Sequence, residues 1–126
     1  MRLLASLLAI LLVVLAAGFW TNHSLQQSTK DLSRQIERVS QEIKQEQWEA
    51  AHKQNRQLER TWQEKARWWP IILDHQEIDN IEFSLAKIKE YVASHDLPLA
   101  LGQLSELKLM IEHIPRKEAV NLENIL

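Results

Sequence analysis

The chain has 126 residues, a formal net charge of −2, two glycines, three prolines and no cysteine. The length suits one small domain, and the scarcity of turn-formers argues against a many-turned β fold. The missing cysteines exclude disulfides, thiol catalysis, cysteine-zinc centres and a lipidated cysteine anchor, and the mixed charge offers no basic face for nucleic acid.

The first element is apolar. Leu3 to Trp20 carries no charge, and eighteen residues in a helix span roughly 27 Å, close to the core of a bilayer. Arg2 precedes the run, Trp20 closes it at the interface position that tryptophan favours, and Thr21, Asn22 and His23 follow. The expectation is a signal anchor over residues 1–21 that contacts membrane lipid through residues 3–20. Its alternative is a signal peptide cut near Ala16-Ala17-Gly18, which leaves a secreted domain. The first basic residue beyond the run is Lys30. The positive-inside rule therefore puts the N-terminus in the cytoplasm and the rest outside. About two residues then lie inside, which leaves any regulatory output to a partner.

Four helices follow by periodicity. Leu25, Leu32, Ile36, Val39 and Ile43 form an apolar seam over about 22–45. A second stripe runs from Trp48 through Ala51, Leu58, Trp62 and Ala66 to about Trp68, where Trp69-Pro70 breaks it. A third helix over about 71–94 turns Ile71, Ile78, Ile81, Leu85, Ile88 and Val92 inward. A fourth over about 98–114 starts at Pro98, which suits a first turn, and carries Leu101, Leu104, Leu107, Ile111 and Ile114. The expected organisation is an anchor at 1–21, a bundle at 22–115 and a tail at 116–126.

The two halves superpose at a shift of 49 residues, which brings Leu32 onto Ile81, Ile43 onto Val92, Trp48 onto Leu97 and Ala51 onto Ala100. Two αα-hairpins of equal size predict an all-α fold, a four-helix bundle behind the N-terminal transmembrane helix. A short tetratricopeptide-like stack is the alternative. It is suggested by Trp48-x-x-Ala51 and disfavoured because the shift is not that family's 34-residue period.

Trp48-x-x-Ala51, Trp62, Trp68-Trp69, His75-x-Glu77-Ile78-Asp79-Asn80-Ile81-Glu82, Leu85, Tyr91, the leucine ladder of the fourth helix and the closing Asn124-Ile125-Leu126 resemble the bacterial domain of unknown function family 4363. The resemblance covers nearly the whole chain and is most specific from Trp68 to Glu82. It implies a short chain with an N-terminal membrane segment, and it implies no activity.

Two constellations stand out. His75, Asp79 and Glu82 share one stripe of the third helix. Such a stripe can pin the helix to a neighbour through a half-buried histidine hydrogen bond, face a partner, or hold a divalent metal. Without a second histidine at ligand spacing or a His-Glu-x-x-His pattern, the structural or partner-binding role is expected and no metal or other cofactor.

Trp48, Trp62, Trp68 and Trp69 are the second feature. The simple reading is a bulky core. However, a helix that leaves the membrane at residue 22 and is followed by three more of similar length brings two ends back to the bilayer. Trp20, Arg67, Trp68 and Trp69 at one end, and Arg116 and Lys117 at the other, are candidate membrane-contacting tips. No nucleophile setting or phosphate loop appears, so an enzyme is not expected. The expected function is a membrane-anchored, extracytoplasmic adaptor or structural module. It acts through protein contacts, with another membrane or envelope protein as partner, and a homo-oligomer is compatible with it. The alternative is an envelope ligand- or metal-binding domain that uses the His75 stripe.

Overall fold

The structure, a computed structural model, describes residues 1–71 and 73–125, and the side chains of all of these except 71 and 115–125. The described residues form four α-helices and a short 3-10 turn, with no strand among them. The helices are α1 (Arg2–Lys44), α2 (Trp48–Ala66), α3 (His75–Ala93) and α4 (Leu97–Ile125), and the 3-10 turn is Trp69–Ile71.

α1 joins two segments that the sequence reads separately. It runs 43 residues without a break, about 64 Å at 1.5 Å per residue. Nothing at the junction stops a helix. Thr21 Oγ1 donates to the Ala17 carbonyl at 2.8 Å, which satisfies its hydroxyl inside the helical backbone. Gly18 costs some propensity and breaks nothing.

α2 ends at Ala66, two residues earlier than the periodicity suggests. The turn through Arg67 and Trp68 then brings Trp69-Pro70 into the 3-10 segment, where proline's missing N–H is no loss. Asp74 starts α3 by accepting from the Glu77 N–H at 2.8 Å. Asp96 does the same for α4 through the Leu99 N–H at 3.1 Å.

α4 differs most from its sequence reading, because its backbone stays helical past Pro115 to Ile125. A proline inside a helix removes one ladder bond and strains the turn before it. The residues after it, Arg116 to Ala119, are mostly good helix formers and carry the helix on.

The helices surround one core as an up-down-up-down bundle. Each packs on its neighbours in chain order, and α4 closes the ring on α1. That closure identifies a bundle, since in a repeat stack the first and last helices drift apart. Leu32, Ile36, Val39 and Ile43 of α1 meet Leu58 and Trp62 of α2 in the core. Ile81, Ile88 and Val92 of α3 and Leu104, Leu107 and Ile111 of α4 complete it. The first half of α1 stays out of this core, and its apolar window is 0% buried.

The two hairpin turns are the same motif. After α1 the Glu46 N–H donates to Ile43 O and the Gln47 N–H to Glu42 O, both at 2.9 Å. After α3 the His95 N–H donates to Val92 O at 3.2 Å and the Asp96 N–H to Tyr91 O at 2.9 Å. This pair of bonds is a Schellman cap, with its left-handed residue at φ 56° in Glu46 and φ 55° in His95. Those residues are 49 apart, so the shift that aligns the helices aligns the turns as well.

Candidate functional site

The histidine stripe lies at the start of α3. Ile78, Ile81 and Leu85 take the buried face of that helix, and His75, Asp79 and Glu82 lie beside it and are exposed. Among the described residues His75 forms none of the expected hydrogen bonds to a neighbouring helix. His75 is the first residue of α3 and is exposed. Among the described residues no group of three or more histidines, cysteines and carboxylates is placed to hold a metal ion. The three side chains form a solvated polar face.

The tryptophans separate into two kinds. Antiparallel packing sets Lys65 near the end of α2 against Asp31, Nζ to Oδ2 at 3.9 Å, and the turn after it brings the chain further down α1. Trp69 turns inward, is 4% exposed, and meets Trp62 edge-on with ring centroids 5.3 Å apart at 81°. Trp68 turns outward and is 71% exposed, the same as Trp20. Arg67 is exposed beside it. Of the sequence-derived tip residues, Trp20, Trp68 and Trp69 come together and Arg67 adjoins them. The side chains of Arg116 and Lys117, and that of Ile71 in the predicted core, lie outside the described residues.

Between α1 and the end of α2 these residues enclose a cleft of about 430 Å³. Trp20, Trp68 and Trp69 give it apolar walls, while Ser24, Ser28 and Lys65 contribute hydroxyls and one cation. Among the described residues no carboxylate, histidine or thiol lines it, and its tryptophans, hydroxyls and single ammonium suit a ligand with an apolar part and an anionic part. A larger, shallower depression of about 520 Å³ on the α1–α4 face is lined by Lys30, Arg34, Glu37, Lys108 and Glu112. There the opposite charges serve each other. Glu37 accepts from Gln41 at 3.2 Å and from Lys108 at 3.3 Å. The Gln41 bond, then the Lys108 bond and its charge, hold the Glu37 carboxyl below the ordinary glutamate value.

Sequence reasoning did not find the cleft, because its walls come from α1 and from the turn after α2, and no periodicity relates them. It also missed the stacking of Trp48 on His95 at the opposite end, centroids 4.8 Å apart and planes 5° from parallel. The 49-residue shift could have suggested it, since Trp48 and His95 sit at the two matching turns.

A family model described as a domain of unknown function (DUF4363) matches residues 19–125. No match was found among curated proteins or among solved structures.

Proposed function

The chain belongs to DUF4363, a family of domains of unknown function, and we propose that it works as a membrane-anchored, extracytoplasmic helical adaptor that acts through protein–protein contacts. One observation carries the reading. α1 supplies an exposed apolar stretch long enough to cross a bilayer and, without interruption, one wall of the bundle. A rigid helix shared by span and bundle couples their orientations, so the bundle is presented at a fixed angle to the membrane. The family match begins at Phe19, the outer end of the apolar run, which makes the bundle the unit held in common.

Arg2 before the span and the absence of basic residues until Lys30 favour an N-in orientation. The unbroken helix through Ala16, Ala17 and Gly18 favours an uncleaved anchor over a cut signal peptide. Trp20, Trp68 and Arg67, with Arg116 and Lys117, are the proposed membrane contacts. Trp69 belongs to the core and is withdrawn from that set. The exposed face of His75, Asp79 and Glu82 is the proposed partner surface, and another membrane or envelope protein is the proposed partner.

The test is site-specific photo-crosslinking in native membranes. A photoreactive residue at Asp79 should give a discrete adduct that weakens when His75 and Glu82 are changed to alanine. The same probe at Lys53, on the exposed face of α2, should give none. Equal, diffuse adducts from both positions would contradict a partner face on α3.

A further inference from the structure

We infer that the cleft at the base of the bundle binds one anionic phospholipid. Lys65 with the hydroxyls of Ser24 and Ser28 holds the phosphate, and Trp20 and Trp68 flank the upper acyl chain. The inference rests on the anchor reading and names a ligand for the site described above.

The cleft stands where the membrane helix leaves its apolar run. Trp20 is the last residue of that run and also a wall of the cleft. A lipid beside the span therefore reaches the cleft without leaving the interface. The lining changes along α1 as a lipid does. Trp20 comes first, and Ser24 and Ser28 lie one and two turns further on, roughly 6 and 12 Å beyond it. An apolar end towards the bilayer and a hydroxyl-and-ammonium end away from it match an acyl chain below a headgroup.

The charge also fits. Lys65 has its side chain mostly covered, at 21% exposure, and lines the cleft together with Trp20, Trp68 and Trp69. Its ion pair with Asp31, at 3.9 Å, is long and leaves donors of the three on an ammonium for a phosphate. Among the described residues no carboxylate lines the cleft itself, and the nearby Asp31 shares the Lys65 ammonium only across that long pair. Trp20 and Trp68 are both exposed although indole normally seeks cover. A lipid chain covers both at once, and the headgroup region is where tryptophan is favoured.

The experiment places the full chain in nanodiscs of equimolar phosphatidylcholine and phosphatidylglycerol and reads retained lipid by native mass spectrometry after release. The expected result is one phosphatidylglycerol per chain in the wild type. It should be lost in Lys65→Gln, in Trp68→Ala, and in Ser28→Leu, which fills the cleft from α1 and removes no core contact. Arg60→Gln makes the same charge change on the exposed face of α2, outside the cleft and away from the proposed membrane contacts, and should retain the lipid, and circular dichroism should show all four variants folded. Glycerol phosphate added in solution should not displace the lipid.

Equal retention of phosphatidylcholine, loss of the lipid in Arg60→Gln alongside Lys65→Gln, or displacement by glycerol phosphate would each overturn the assignment, the last in favour of a soluble phosphate ligand. A chain embedded in the disc that carries no lipid also overturns it and leaves the anchor reading standing. A chain that does not enter the disc overturns both.

Discussion

Asn55 occupies a core position of α2 and is 1% exposed. Its Nδ2 donates to Glu59 at a long 3.4 Å, and its Oδ1 has no partner among the described residues. The shift that pairs the hairpins puts Leu104, fully buried, at the equivalent place in α4. An unsatisfied buried amide oxygen costs about 1–3 kcal/mol. Asn55→Leu should therefore stabilise the bundle by about 1 kcal/mol or more, read as a raised thermal midpoint by circular dichroism, and a lowered midpoint would mean that the amide serves a contact the bundle alone does not show. The two left-handed turn residues give a paired prediction. Glu46→Gly removes the strain of a side chain at positive φ and should gain about 0.5–1 kcal/mol. His95→Gly gains the same backbone relief but loses the Trp48 stack, worth about 0.5–1.5 kcal/mol, and should come out near neutral. Single-residue properties were partly legible in the sequence. Most of the buried set was visible as stripes, but which tryptophan of the Trp68-Trp69 pair is buried depends on the 3-10 turn, and the exposure of His75 depends on where α3 starts.

The helices themselves were readable from apolar spacing, and their ends less so. Two boundaries moved because a polar residue or a proline is a weaker stop than its propensity suggests. Thr21 satisfies its hydroxyl within α1 and lets the helix pass, and Pro115 interrupts one bond of α4 without ending it. The seam between α1 and α4 carries a pH-dependent link through Glu37 and Lys108. The folded-state pKa of Glu37 is lowered, so its contribution is present above the unfolded glutamate range, about pH 4.3, and is lost as pH falls through the lower folded value. Lys108→Met removes the second and third causes of that shift and leaves the Gln41 bond. The variant should lose less stability than the wild type between about pH 5 and 3. The group is about half exposed, at 48%, and solvent screening holds the difference to at most about 0.5 kcal/mol. Urea denaturation across that range checks it, and parallel wild-type and variant curves would show that the link contributes nothing.

At the scale of the molecule, the hairpin duplication was visible as an alignment of stripes, and the bundle adds matching caps at Glu46 and His95 to it. The closure of α4 on α1 could not be read from the stripes, since an open stack of two hairpins has the same ones. The central claim is that α1 anchors the bundle outside the cytoplasm. The measurement that tests it most directly fuses a C-terminal reporter to the chain and assays membrane and soluble fractions. The account predicts that a reporter active only outside the cytoplasm works, that one active only inside is silent, and that both stay with the membrane after an alkaline wash at the mass of the uncut chain. Activity of the cytoplasmic reporter, or a shortened soluble product cut near Ala17, would contradict it.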